Sequence, residues 1–95
     1  MEIMFTENTK VKEDVVYQEV LEEVRDLIVY NDDVNTFDHV IGSLVEVCGH
    51  ELHQAEQCTI IIHYNGKCQV KHGDFEELKP MCVGLLDRGL SAVIE

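Results

Sequence analysis

The most regular pattern in the chain runs from residue 37 to residue 48. Phe37, Val40, Ile41, Leu44, Val45 and Cys48 recur at i, i+3, i+4, i+7, i+8 and i+11, the spacing of one face of an α-helix. Asn35 before this run, with Asp38 three residues on, predicts an N-cap and its capping-box acid. Gly49 predicts the stop. Upstream, Val24-Arg25-Asp26-Leu27-Ile28-Val29-Tyr30 is short and rich in β-branched residues, which predicts a strand. It runs into Asn31-Asp32-Asp33, poor strand formers, so three polar side chains stand where strand gives way to loop. Residues 67–72 predict another strand. Phe75, Leu78, Met81, Cys82, Leu85 and Leu86 form a further helical stripe, with Asp74 as cap and Glu77 as its capping-box partner. Pro80 lies too deep for the first turn of that helix and predicts a kink or a late start. Arg88 and Gly89 end it, and Leu90-Ser91-Ala92-Val93-Ile94 predicts a closing strand.

The stretch from Glu51 to His63 supports two readings. Leu52, Ala55, Thr59 and Ile62 fit one helical face. Yet Thr59-Ile60-Ile61-Ile62-His63-Tyr64, then Asn65-Gly66 and Lys67-Cys68-Gln69-Val70, also reads as a β-hairpin with a type I′ turn. Propensity slightly favours the hairpin. The choice matters for chemistry. On a helix, Thr59 and His63 stack at i, i+4, and with Ile62 they line one rim of a cavity; in a hairpin they do not combine this way.

Length and charge narrow the field. Ninety-five residues make one domain with one modest core. Residues 13–23 have only weak helical spacing, and residues 1–12 are polar without periodicity. The expected organisation is therefore a flexible acidic N-terminal extension over 1–23 and a core domain over 24–95. Seven basic against nineteen acidic side chains give a net charge of −12. That argues against nucleic acid, where Lys and Arg carry affinity, and against an anionic membrane surface. Residues 1–38 hold eleven acidic and three basic side chains, so a cationic partner belongs at that end. The first residues have neither a basic segment nor an apolar run. The expectation is a cytoplasmic protein whose four cysteines, at 48, 58, 68 and 82, are reduced thiols.

Three chemistries compete. Asn31, Asp32 and Asp33 form either a solvated acidic turn or a cation site, whose carboxylate and amide oxygens accept hydrogen bonds from an ammonium group. Cys48, His50 and His53 lie close in sequence and suggest a small metal- or redox-responsive regulatory domain. Their spacing matches no zinc pattern, and a thiol on an apolar stripe is ordinarily a packed side chain. Asp32 with His63 raises general acid–base chemistry, but no nucleophile motif or phosphate loop accompanies them. No catalytic role, cofactor or metal is therefore expected.

Val29-Tyr30-Asn31-Asp32-Asp33-Val34-Asn35-Thr36-Phe37 and His63-Tyr64-Asn65-Gly66-Lys67, with the helical stripe and Gln54-Ala55-Glu56-Gln57 between them, resemble the ClpS family, adaptors of the ATP-dependent Clp protease. The resemblance extends from about residue 24 to the end. It implies an α+β fold: a small β-α-α-β-α-β domain with a three-stranded antiparallel sheet packed against three helices, like the C-terminal domain of the ribosomal stalk protein. It turns residues 51–63 into helix and Asn65-Gly66 into its exit. It also implies a non-enzymatic adaptor that binds proteins with a bulky hydrophobic N-terminal residue, the N-degrons. The adaptor delivers them to a Clp AAA+ unfoldase of the ClpA type through that partner's N-terminal domain. Asn31, Asp32 and His63 would hold the substrate α-amino group. Phe37, Val40, Thr59 and Ile62 would line the hydrophobic pocket, and Tyr64, Lys67 and Glu76 would face the unfoldase. Phe37 and Thr59 stand where some members carry methionine, Thr36 where the helix starts with proline, and Met81 where some carry a basic residue.

Overall fold

A computed structural model describes residues 24–95; the extension expected over 1–23 lies outside them. The elements follow in the order β1 (Val24–Tyr30), α1 (Phe37–Cys48), α2 (Leu52–Asn65), β2 (Lys67–Asp74), α3 (Phe75–Asp87) and β3 (Ser91–Ile94). The three strands form an antiparallel sheet in the order β2-β1-β3. This is the α+β architecture that the family resemblance implies.

Strand alternation sets the two faces of the sheet. Leu27 and Val29 of β1, Val70 of β2 and Ala92 of β3 are buried, and they share one core with Leu44, Cys48, Ala55, Cys58, Ile62, Leu78, Cys82 and Leu85 of the helices. The opposite face carries polar pairs. His72 Nδ1 lies 2.7 Å from Asp26 Oδ1, Lys67 Nζ stands 5.7 Å from the centre of the Tyr30 ring, and the Tyr30 hydroxyl donates to Glu95. One side is thus dry and the other open, as antiparallel sheets permit.

The segment Leu52–Asn65 settles as helix. Ala55, Cys58, Thr59 and Ile62 are buried, an i, i+3, i+4, i+7 stripe, whereas Ile60 and Ile61 are exposed. The β-branched run that favours a hairpin therefore sits partly on the solvent side, and burial outweighs propensity. Gly66 ends α2 at φ 92°, where its N–H bonds Ile62 O at 3.0 Å. Only glycine adopts that conformation without steric cost. Leu52, expected on the buried face, is 59% exposed.

Other boundaries differ in detail. The N-cap of α1 is Thr36, whose hydroxyl accepts from His39 N at 3.1 Å. Asn35 is held instead by Asp32 in its own loop and by Gly89 O in a later turn. Asp74 occupies the cap position of α3, but its side chain accepts no helix N–H. Pro80 lies within α3 without a late start: it is exposed, and buried Leu78, Cys82 and Leu85 hold the helix on both sides of it. In β2 the register slips against β1, from Leu27 opposite Lys71 to Ile28 opposite Gln69. Val70 is the extra residue of this bulge, and its carbonyl lies 2.7 Å from Nε2 of buried His50.

Candidate functional site

The site is built where β1 ends. Asn31 N donates to Gly66 O at 2.8 Å, which ties the strand exit to the turn after α2. That bond brings Asn31 beside the carboxyl end of α2, where His63 sits in the last turn. The chain then loops from Asn31 to Thr36 and enters α1. A cavity of about 190 Å³ opens between these segments, lined by Asn31, Asp33, Asn35, Thr36, Phe37, Val40, Thr59, Ile62 and His63. Val40, Thr59 and Ile62 are buried and form its interior; Asn31, Asp33, Thr36, Phe37 and His63 are exposed and form its mouth.

Asp32 stands beside the lining residues and not among them. Its carboxylate is committed to holding the loop. Oδ1 accepts from Val34 N at 3.1 Å and Asn35 N at 3.4 Å, and Oδ2 accepts from Asn35 Nδ2 at 2.9 Å and Ser91 Oγ at 3.2 Å. The Val34 N–H, aided by the Asn35 and Ser91 donors, holds this carboxyl below the usual aspartate range. Asn35 Nδ2 also donates to Gly89 O at 2.9 Å, and His39 Nε2 lies 2.8 Å from Arg88 O. The loop is therefore anchored to the turn before β3, and Asp32 does not line the cavity.

Asp33 does. It takes the left-handed backbone conformation, φ 61°, which aspartate tolerates better than most residues. Its Oδ1 accepts from Asn31 Nδ2 at 3.1 Å, and its own N–H approaches Asn31 Oδ1 at 3.4 Å. The sequence reading set Asp32 at the substrate amine; in the structure Asp33 lines the cavity and Asp32 caps the loop beside it. The available signal was the Asx pattern, in which the first carboxylate caps the amides two and three residues on. Asn35 and Thr36 are also lining residues that the sequence reading left out.

His63 completes the mouth. Its ring meets Phe37 edge-on, with centroids 5.1 Å apart and planes at 70°, and meets Tyr64 at 4.8 Å and 84°. Phe37 thus leaves the buried stripe of its helix and serves as a wall of the opening. Among the lining residues the only formal charge is the Asp33 carboxylate, unless His63 is protonated. The carboxyl end of α2 adds partial negative charge. A cation is favoured there.

The rest of the predicted residues are dispersed. Tyr64, Lys67 and Glu76 are exposed and lie outside the cavity. Cys48 and His50 are buried, while His53 is exposed beside Glu56 at 4.0 Å. Among the described residues, no group of three His, Cys, Asp or Glu side chains could hold a metal ion. Nor is any helix among them long and apolar enough to cross a membrane.

Residues 22–92 match the family described as ATP-dependent Clp protease adaptor protein ClpS. No curated protein gives a significant sequence match. Among solved structures, Agrobacterium tumefaciens ClpS2 bound to L-phenylalaninamide superposes with a TM-score of 0.65 at 13% identity, covering 77% of this chain and 95% of that one. At that identity the likeness concerns the fold, and the family match carries the assignment. The chain belongs to the ClpS family of Clp protease adaptors.

Proposed function

We propose that this adaptor captures proteins by a free N-terminus bearing a bulky hydrophobic first residue and delivers them to a Clp-type AAA+ unfoldase. The observation that carries the reading is the coincidence of an anionic, oxygen-lined mouth with a cavity of about 190 Å³ whose interior includes Val40 and Ile62. An apolar cavity of ~150 Å³ takes a benzene ring, so this one fits a single aromatic or branched side chain. The α-ammonium, charged near neutral pH, then lies at the mouth. There the Asp33 carboxylate and Asn31 Oδ1 accept its protons, and a neutral His63 ring nitrogen accepts another directly or through water. Asp32 holds the loop in shape. Phe37, Val40, Thr59 and Ile62 surround the side chain.

The magnitudes suit an adaptor. Burying one large apolar side chain contributes about 1.5–3 kcal/mol, and each charge-assisted hydrogen bond about 1.5–3 kcal/mol. Association costs at least ~4 kcal/mol, so two or three such bonds give an affinity no tighter than about micromolar. Cargo held this loosely can be passed on. Exposed Tyr64, Lys67 and Glu76 form the surface offered to the unfoldase, and residues 1–23 the segment that assists delivery.

The deciding experiment is a calorimetric titration with a phenylalanine-initiated peptide and its N-acetylated twin. Acetylation removes the charge and two donor protons while leaving the ring. The free peptide binds at micromolar concentration and the twin at least tenfold more weakly. Equal binding of the two rejects the reading.

A further inference from the structure

Thr59 is the most deeply placed polar residue of the cavity. It is 2% exposed, against 5% for Ile62 and 9% for Val40, and these two companions in the interior carry no polar side-chain atom. Its hydroxyl donates to Ala55 O at 2.8 Å, one turn back along α2. A hydroxyl has one proton and two lone pairs. The proton is already used, so towards a ligand Thr59 is an acceptor only. The bond to Ala55 also fixes the rotamer of a β-branched side chain that is stiff to begin with.

The mouth of the cavity therefore selects a cation, its walls select an apolar body, and its depth holds one fixed lone pair. We propose that Thr59 is a specificity-determining residue that makes the cavity prefer an N-terminal tyrosine over phenylalanine. The inference rests on the N-terminus reading above. A phenol whose ring lies between Val40 and Ile62 donates its O–H to Thr59 Oγ1. A buried phenol without an acceptor suffers an uncompensated loss of hydration. Phenylalanine is still admitted, because the Thr59 proton stays bonded to Ala55 and only a lone pair goes unmatched. A graded preference results, roughly three- to tenfold for one neutral hydrogen bond.

The test uses peptides identical except for a first residue of Tyr, Phe or O-methyltyrosine, each with a free amine, titrated into the wild-type chain, Thr59→Val and Thr59→Ser. The wild type and Thr59→Ser bind the Tyr peptide three- to tenfold more tightly than the Phe peptide. Thr59→Val, which keeps the shape and removes the oxygen, inverts the order to Phe above Tyr. Phe and Tyr affinities that fall together in Thr59→Val overturn the proposal, as does an unchanged Tyr-to-Phe ratio. Should Thr59→Val fail to fold, O-methyltyrosine decides on the wild type. Binding weaker than the Phe peptide supports the proposal, and binding equal to the Tyr peptide overturns it. The acetylated peptides separate the two ideas. Acetyl-sensitive binding with an indifferent ratio sinks only the role of Thr59, whereas binding unaffected by acetylation, or no binding, sinks the N-terminus reading.

Discussion

Two regions of this domain hold most of its reactive side chains, and they are built in opposite ways. The loop from Asn31 to Asn35 exposes Asn31 and Asp33, half-buries Asp32 and Asn35, and holds all four in a network of hydrogen bonds. The core beneath contains Cys48, Cys58, Cys82 and His50, all buried. Burial pushes the Cys48 thiol up to about 11, helped slightly by the nearby Cys58 and Cys82. Burial, and then the adjacent Cys58 thiol, push up Cys68. Such thiols stay protonated and unreactive near neutral pH. His50 lies 2.7 Å from the Val70 bulge carbonyl through Nε2, and its Nδ1 is buried without a partner. Residue type alone marked both regions as candidates. What separates them is access: one set meets an open cavity, and the other is packing.

The comparison breaks most visibly if the thiols react. Alkylation of the three buried cysteines at pH 8 should be roughly a hundredfold slower in the native protein than in urea, followed by mass spectrometry, because reaction requires opening of the core. Rapid native labelling of Cys48 would make the core a site after all. The pH dependence has a definite sign. A thiol whose folded pKa is raised stabilises the fold below its unfolded value. That contribution is lost as pH rises through the folded pKa, so the urea midpoint should fall from about pH 9 upward.

Binding should be sensitive at the loop. Asp33→Ala should weaken capture of a phenylalanine-initiated peptide about ten- to a hundredfold, the value of one charge-assisted bond, with only the small fall in melting temperature that alanine at φ 61° brings. His63→Ala should cost roughly three- to tenfold. Asp32→Ala should behave differently from Asp33→Ala. Losing the cap of Val34 and Asn35 should lower stability by about 1 kcal/mol, visible as a lower melting temperature, and should weaken binding only through the loosened loop. The lowered Asp32 pKa adds a sign. Its stabilisation is present above the ordinary carboxylate range and disappears as pH falls through the folded value, so the acid limb of wild-type stability should flatten in Asp32→Ala. If Asp32→Ala abolishes binding without affecting stability, the two aspartates have been assigned the wrong way round.

The α1 stripe and its Gly49 stop were legible because periodicity and termination agree locally. The three strands were legible as segments, although the pairing of β1 with both neighbours depends on contacts distant in sequence. α2 was ambiguous on residues alone because Ile60, Ile61 and Asn65-Gly66 carry strand and turn signals while Ala55, Cys58, Thr59 and Ile62 carry the burial. Its resolution came from family resemblance. The cap of α1 was misplaced by one residue, since Asn35 bonds Gly89 O, 54 residues away in the chain, and no local pattern shows that. Of the residues named from resemblance, Asn31, Phe37, Val40, Thr59, Ile62 and His63 all line the cavity. That Asp33 and not Asp32 lines the cavity goes with the left-handed backbone of Asp33, φ 61°, which sequence does not display.

The central claim is that one cavity holds a free amine at its mouth and a side chain within. Titration of the isotope-labelled protein with L-phenylalaninamide, followed by backbone amide NMR shifts, tests it most directly. Saturable shifts concentrated at Asn31, Asp33, Phe37, Thr59 and His63 are the predicted result; shifts centred on Cys48, His50 and Val70, or none at saturating ligand, would contradict it.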